Sequence, residues 1–169
     1  NLHSSNKEKF ILVPHNINKT AIDRLTKRIR ANTVLYSRAN TKNIRDAKIL
    51  IIDSIGLLTS VYSCADVAYV GGGFGSGIHN ILEPATYGIP IIIGPNYQKF
   101  QEALDLIEQK ACVEVQSIDA LTQRLQEFNS NKKLVKSAGK IASDYVFKNI
   151  GATDKILLFV KKVLNKRHL

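Results

Sequence analysis

The chain has 169 residues, of which 44 % are hydrophobic and 22 % are charged, so it can bury a core and is neither disordered nor collagen-like. Its 24 Lys and Arg against 14 Asp and Glu give a formal net charge of +10. No apolar run approaches the ~20 residues of a membrane helix, which predicts a soluble domain. Cys64 and Cys112 lack the spacing of a zinc site or a disulfide framework, so a reducing compartment fits best.

Short β-branched runs alternate with longer stretches of helical period, which indicates βαβ units and a parallel sheet. Six strands are predicted, at Phe10–Val13, Thr33–Tyr36, Ile49–Ile52, Val67–Val70, Ile91–Ile93 and Val113–Val115. Between them apolar residues recur three and four positions apart, as at Ile22, Leu25 and Ile29, which is typical of crossover helices. Gly88 and Gly151 are predicted to end helices.

Residues from about 117 to 169 are predicted to be helical, because apolar positions keep the helical spacing and no strand pattern returns. We therefore expect one α/β domain over 1–169, with a Rossmann-like parallel sheet of about six strands and helices on both faces. The first five residues lack the pattern of a leader peptide. Because the sequence contains no Met at all, we expect the chain to be part of a longer protein.

A glycine-rich loop after the fourth predicted strand is the strongest functional signal. Five of the seven residues from Gly71 to Gly77 are glycine, including Gly72, Gly73 and Gly75. Without Cβ atoms a ligand can approach the backbone, and amide N–H groups beside a helix start favour an anion such as phosphate. The alternative is that small residues merely let the strand and the helix pack closely. Neither the dinucleotide fingerprint nor the Walker A pattern fits this loop.

The predicted start of the next helix carries His79, Asn80 and Glu83, whose spacing of three and four places their side chains on one face. A carboxylate at that position can accept hydrogen bonds from both hydroxyls of a ribose. The alternative is a capping box, in which Asn80 caps the helix and Glu83 closes the box without any ligand.

Polar residues also follow the first and third predicted strands, at the edge of a parallel sheet where ligands bind. His15 is either a ligand contact or a hydrogen-bonded structural residue. Asp53 either faces a ligand or holds its own turn before Gly56. No serine triad, carboxylate pair or metal cluster assembles from the sequence, so we expect no metal site and a catalytic base outside this chain.

Four motifs follow one another at Asp53–Leu58, Ala65–Phe74, Gly77–Ala85 and Gly94–Phe100. In their residues and their order they resemble the C-terminal half of bacterial 3-deoxy-D-manno-octulosonic acid (Kdo) transferases. The resemblance runs from about Phe10 to the segment Gly151–Lys155. It implies half of a GT-B glycosyltransferase with two Rossmann-like domains, which moves Kdo from CMP-Kdo to a lipid A precursor by inversion, without a metal or a cofactor.

The resemblance also implies how this chain holds CMP-Kdo. The glycine loop and His79 would bind the phosphate and the sugar, Asn80 and Glu83 the ribose, and Ile55 and Gly56 would lie against cytosine. The implied donor-binding residues are His15, Asp53, Ile55, Gly56, Gly72, Gly73, Gly75, Gly77, His79, Asn80, Glu83, Gly94, Pro95, Asn96 and Lys99.

Three positions depart from the family pattern. The Pro-Arg-His frequent in the family is Pro14-His15-Asn16 here, its Gly-Glu-Leu is Gly56-Leu57-Leu58, and its Asn before Phe100 is Lys99. His15 or Lys99 would then supply the positive charge of the missing Arg. These variants resemble the Bacteroidetes branch of the family.

The family's N-terminal half carries a membrane anchor, the acceptor surface and the catalytic base, so the resemblance implies that this chain alone binds the donor without turnover. The implied partners are CMP-Kdo, the N-terminal acceptor domain of the same polypeptide, the lipid A precursor and the anionic surface of the inner membrane on its cytoplasmic face. The positive net charge either attracts the chain to such an anionic surface or only keeps the exposed faces of its helices solvated.

Two other functions fit parts of the same sequence. A UDP-sugar transferase of the same class would use the same glycine loop and the same Glu83. A non-catalytic module that binds nucleotides or nucleic acid is disfavoured, because the basic residues are spread over several helices without aromatic residues between them on a strand face.

Overall fold

A computed structural model describes residues 8–165, which fold as two compact units, the first ending at Cys64 and the second beginning at Ala65. Residues 1–5, which lack a leader pattern, and the predicted helical residues 166–169 lie outside this described part. The prediction of one domain over 1–169 stays a prediction.

The first unit contains a parallel sheet in the order β1-β3-β2. Its strands are β1 (Phe10–Leu12), β2 (Thr33–Leu35) and β3 (Ile49–Ile51). Its helices are α1 (Lys19–Arg28), α2 (Asn43–Asp46) and α3 (Leu58–Tyr62), with a 3-10 turn at Tyr36–Arg38. Helix α1 begins where the Asn18 side chain accepts a hydrogen bond from the Ala21 N–H at 2.9 Å, and it buries Ile22.

The second unit contains a parallel sheet in the order β4-β5-β6. Its strands are β4 (Ala68–Val70), β5 (Ile91–Ile93) and β6 (Cys112–Glu114). Its helices are α4 (Leu82–Thr86), α5 (Gln101–Glu108), α6 (Ile118–Ser130), α7 (Lys132–Lys148) and α8 (Ala152–Asn165).

Strand β5 lies at the centre of the second unit's core. Ile91 and Ile93 pack in one cluster with residues of α4, α5 and α7, whereas Ile92 packs in another with Phe128 of α6. Because side chains alternate along a strand, these clusters lie on opposite faces of the sheet. All three isoleucines are fully buried, as expected for a parallel strand covered by helices on both faces.

The six predicted strands are confirmed, each within a residue or two of its expected bounds. The expectation of one sheet is wrong: in residues 8–165 the hydrogen-bonded ladders form two sheets of three strands each. Alternating strand and helix patterns predict parallel pairing, but they carry no information on which strand edges lie side by side. The α/β class with helix-flanked parallel sheets is confirmed.

Two glycines fix the packing of α7 against the end of α4. A Cβ on Gly139 would lie 2.0 Å from the carbonyl oxygen of Gly88, so the two backbones touch. Gly88 ends α4 with a φ of +66°, and Gly151 separates α7 from α8 with a φ of +97°, which confirms both as helix stops.

Helix α8 differs from the other helices of the second unit because its apolar side chains are exposed. Leu158 and Phe159 are each 68 % exposed. Within residues 8–165, no helix combines the length and the apolar character needed to cross a membrane.

Candidate functional site

The glycine loop after β4 is folded on itself. The N–H groups of Gly75 and Gly77 both donate to the carbonyl oxygen of Gly72, at 2.8 and 3.3 Å. Gly72 and Gly77 have φ values of +90° and +137°, which only glycine adopts readily. The loop therefore needs these two glycines for its own shape, whatever it binds.

The loop after β5, residues 94–99, lies against the glycine loop, and we call it the bracing loop. The N–H of Asn96 donates to the carbonyl oxygen of Gly73 at 2.9 Å, and its side-chain Nδ2 donates to that of Gly75 at 2.7 Å. Gly73 and Gly94 are buried against each other. The two loops thus form one rigid edge at the carboxyl ends of β4 and β5, where ligands bind parallel sheets.

Part of the glycine loop stays open to a ligand. Phe74, Gly75 and Ser76 are exposed. No carbonyl of residues 8–165 accepts from the N–H groups of Gly73, Phe74 and Ser76, whereas those of Gly75 and Gly77 are used within the loop. The sequence predicted an anion site at Gly72, Gly73, Gly75 and Gly77. The N–H groups of Gly75 and Gly77 are already used, so fewer amides remain for an anion than the number of glycines suggested.

The predicted helix start at His79 is wrong, because α4 begins at Leu82. The carboxamide oxygen of Asn80 accepts the Leu82 N–H at 3.0 Å and holds a bend ahead of the helix. Pro84 then occupies the first turn, where a missing N–H costs nothing. Exposed His79 is thus a loop residue beside the glycine loop.

Asn80 and Glu83 meet as predicted, by a direct hydrogen bond. The Nδ2 of Asn80 donates to the Oε1 of Glu83 at 3.1 Å. A capping box would instead place a backbone N–H on the Glu83 carboxylate. The pair presents a carboxylate and an amide next to the glycine loop, and its role toward a ribose stays a prediction.

In the first unit, the predicted residues lie at the carboxyl edge of two paired strands. His15 follows β1, and Asp53, Ile55 and Gly56 follow its neighbour β3. Ile55 is 89 % exposed and Gly56 has a φ of +86° with open space where a Cβ would project. An exposed apolar side chain beside a bare backbone offers a flat surface for a base, and the donor role of these residues stays a prediction.

Asp53 has a structural partner across the sheet edge. Its two carboxylate oxygens accept hydrogen bonds from the N–H and the hydroxyl of Ser37, at 2.9 and 2.5 Å. Burial opposes ionisation, but these bonds together with the Arg38 charge outweigh it and lower the pKa of Asp53. Asp53 is therefore an ionised residue that fixes the turn after β2, and its predicted ligand role stays a prediction.

One pair at the sheet edge was missed from the sequence. The Tyr97 hydroxyl donates to the Oε2 of Glu114 at 2.9 Å, and Gln116 donates to its Oε1 at 3.0 Å. The bond to Glu114, followed by burial, raises the pKa of Tyr97. Glu114 ends β6, which pairs with β5, the strand that leads into the bracing loop. A carboxylate at that position could have indicated from the sequence a partner for a side chain of that loop.

The remaining predicted residues lie in or after the bracing loop. The carbonyl of Pro95 accepts from the Gln98 side chain at 2.7 Å, so Pro95 shapes the loop. Lys99 is exposed at the end of this loop, immediately before Phe100 and α5. In residues 8–165 no three His, Cys, Asp or Glu side chains gather as a metal site.

No protein-family model matches the chain. A curated 3-deoxy-D-manno-octulosonic acid transferase of Aquifex aeolicus is 32 % identical over 130 residues, which cover 76 % of this chain and 35 % of that protein. The transferase of the same name from Haemophilus influenzae is 29 % identical over 136 residues, covering 78 % of this chain and 32 % of that protein. This chain thus spans about a third of the length of these relatives.

Two solved structures resemble the fold. The C-terminal CMP-Kdo binding domain of WaaA from Acinetobacter baumannii matches with a TM-score of 0.76 and 23 % identity, over 88 % of this chain and 78 % of that one. Sucrose-phosphate synthase of Thermosynechococcus elongatus matches with a TM-score of 0.58 and 14 % identity, over 99 % and 47 %. These likenesses confirm the expected fold class.

Proposed function

We infer that this chain, a homologue of the Kdo transferases as its motifs predicted, is the part of such an enzyme that binds the sugar donor CMP-Kdo. The observation that supports this most is the braced glycine loop, which has three backbone N–H groups without a carbonyl acceptor in residues 8–165 and comes a few residues before the hydrogen-bonded Asn80–Glu83 pair. An anion site next to a carboxylate suits a ligand that carries a phosphate and a ribose.

Donor departure is the chemical step to which this chain would contribute. When the bond between Kdo and the phosphate breaks, negative charge grows on the CMP leaving group. Fixed amides of the glycine loop stabilise that charge without reorganising, and the Lys99 ammonium adds a cation at the same edge. The transfer proceeds with inversion and without a metal or a cofactor.

The rest of the reaction requires parts that this chain does not supply. The chain spans about a third of the length of its relatives. We assign the binding of the acceptor, a lipid A precursor, and the catalytic base to an N-terminal domain of the full polypeptide. The full enzyme works at the cytoplasmic face of the inner membrane. The isolated chain therefore binds the donor and shows no turnover.

Calorimetric titration of the chain with CMP, UDP and GDP tests the proposal. If the donor is CMP-Kdo, CMP binds more tightly than UDP or GDP. Glu83→Ala lowers CMP affinity by roughly 1.5–3 kcal/mol if its carboxylate accepts the ribose hydroxyls. Glu108→Ala is the matched control, since it removes an exposed carboxylate at the end of α5 that leads away from the site.

The results separate the alternatives. Absence of CMP binding at millimolar concentration overturns the donor role. Tighter binding of UDP assigns the domain to a UDP-sugar transferase of the same class. If Glu83→Ala only lowers the melting temperature and leaves affinity unchanged, the Asn80–Glu83 pair is structural.

A further inference from the structure

The carboxyl end of β6 is tied to the bracing loop by a side-chain hydrogen bond. The hydroxyl of Tyr97 donates to the Oε2 of Glu114 at 2.9 Å, and the Nε2 of Gln116 donates to its Oε1 at 3.0 Å. Each carboxylate oxygen of Glu114 therefore has a donor. A hydrogen bond to a charged acceptor is stronger than one between neutral groups, so this contact holds Tyr97 firmly at the end of β6.

The core holds the rest of the Tyr97 side chain. Tyr97 is half-buried and packs against the cluster that contains Ile91 and Ile93 of β5. Its ring thus has apolar packing along its length and a hydrogen bond at its polar end, as buried tyrosines commonly do. The bracing loop is therefore anchored near its middle both to the core and to the neighbouring strand β6.

The backbone of Tyr97 fixes the residues on either side of it. Its carbonyl oxygen accepts the N–H of Phe100 at 2.9 Å, and its own N–H donates to the carbonyl oxygen of Pro95 at 3.2 Å. These bonds close the bracing loop around Asn96 and lead the chain into α5. A shift of the Tyr97 ring would therefore move both Asn96 and Phe100.

Asn96 and Phe100 both contact the glycine loop. Asn96 donates to the carbonyl oxygens of Gly73 and Gly75, from its backbone N–H and from its Nδ2. The ring of Phe100 lies 3.2 Å from the point where a Cβ of Gly77 would project, so the ring packs against the end of the glycine loop. Continuous contacts thus run from the end of β6 through Tyr97 to the glycine loop.

We propose that Tyr97 and Glu114 are a positioning pair for the donor phosphate, which hold the bracing loop so that the open N–H groups of the glycine loop stay in place for an anion. Neither side chain has to touch the donor. Amides that are already in place stabilise a negative charge without reorganising, and a loop that moves loses this advantage. The proposal rests on the donor role of the chain, but the hold on the glycine loop is measurable without a ligand.

Calorimetric titration of Tyr97→Phe with CMP is the first test. This variant keeps the ring in the core and removes only the hydroxyl that Glu114 accepts. CMP affinity should fall about three- to tenfold. Tyr145→Phe is the matched control, because it removes a tyrosine hydroxyl that donates to the carboxylate of Asp105 at 2.8 Å, between α7 and α5. The control should lower the urea midpoint and leave CMP affinity unchanged.

Substitution of the carboxylate shows whether the hydrogen bond itself matters. Glu114→Ala should weaken CMP binding about as much as Tyr97→Phe. Glu114→Gln keeps an oxygen that can accept the Tyr97 hydroxyl, so it should recover most of the affinity. A purely structural pair would lower the urea midpoint in these variants and leave CMP affinity at the wild-type value. That result overturns the proposal, as does a loss in Tyr145→Phe equal to that in Tyr97→Phe.

The glycine amide signals of the ligand-free chain separate a failure of this proposal from a failure of the donor role. Isotope-labelled glycine reports on ten positions of the chain in a nuclear magnetic resonance spectrum. Tyr97→Phe should shift or broaden the signals of Gly73, Gly75 and Gly77 and leave that of Gly151 in place. If the wild type does not bind CMP, the donor role fails, and these signals alone decide whether the pair holds the loop. Loop signals that match the wild type overturn the positioning pair in either case.

Discussion

The backbones of Gly73 and Gly94 are in direct contact across the ends of β4 and β5. A Cβ added to Gly73 would lie 2.7 Å from both the Cα and the N of Gly94, and one added to Gly94 would lie 2.7 Å from the carbonyl carbon of Gly73. No rotamer change relieves such a clash, because the opposing atoms belong to the main chain. This contact holds the glycine loop against the loop that braces it.

Gly73→Ala should therefore damage both stability and binding. The added methyl group forces the two loops apart, which costs about 1–3 kcal/mol of unfolding free energy and lowers CMP affinity. Gly75→Ala is the control, since its Cβ would lie 3.5 Å from the Gly72 oxygen, an ordinary contact. Urea unfolding and calorimetry measure the two effects. Equal behaviour of the two variants would mean that the Gly73–Gly94 contact is dispensable.

Asn96 is expected to position the glycine loop. Asn96→Ala removes the hydrogen bond from Nδ2 to the Gly75 carbonyl but keeps the backbone bond to Gly73. The loop gains freedom, so CMP affinity falls roughly two- to tenfold, while the urea midpoint changes little because Asn96 is exposed.

Asn149→Ala is a suitable comparison for Asn96→Ala. Its side chain also donates to a backbone carbonyl, that of Tyr145 at 2.8 Å, near the end of α7. This variant should leave CMP affinity unchanged. Unaltered affinity in Asn96→Ala as well would show that the backbone bond to Gly73 suffices to hold the loop.

The sequence predicted the elements better than their assembly. Ile91–Ile93 is a strand with the expected bounds, because three consecutive β-branched residues between a glycine stop and a Gly-Pro turn have few other structures open to them. The division into two sheets was not predictable, since strand pairing depends on contacts between distant residues. Similar limits apply to Tyr97 and Glu114, which lie 17 positions apart and meet only after folding.

The shape of the glycine loop was predictable where it depends on local chemistry. Five glycines among seven residues indicated a close backbone approach, and in the structure the backbone of Gly94 is the close neighbour of Gly73. Anion binding by this loop stays a prediction. The helix was predicted to start at His79 but begins at Leu82, because the Asn80 side chain accepts the Leu82 N–H from outside the helix. Side-chain bonds of this kind compete with helix formation and are hard to weigh without a structure.

The two thiols should differ in reactivity. Cys64 is exposed, whereas Cys112 is 2 % exposed and burial raises its pKa to about 12. Since the thiolate is the reactive form, Ellman's reagent at neutral pH should label one thiol per native chain and both thiols in denaturant. Cys64→Ser should abolish the native reaction, and rapid labelling of that variant would show that the β6 edge opens easily.

Tyr145 links the stability of the second unit to alkaline pH. Its hydroxyl donates to the Oδ2 of Asp105 at 2.8 Å, joining α7 to α5. Burial, and then the bond to the Asp105 carboxylate, raise the pKa of Tyr145 to about 12. Its usual value is about 10, so the contribution to stability is complete below about pH 10 and is lost as the pH rises through about 12.

Tyr145→Phe should expose this dependence in urea unfolding followed by circular dichroism. The variant is less stable than the wild type at pH 8, because the Asp105 carboxylate loses one hydrogen bond. Between about pH 10 and 12 the wild type loses stability more steeply, and the two unfolding free energies converge. Tyr36→Phe, at an exposed tyrosine of the first unit, should keep the wild-type slope. Parallel slopes for wild type and Tyr145→Phe would assign the alkaline loss to other groups, such as lysines that deprotonate in the same range.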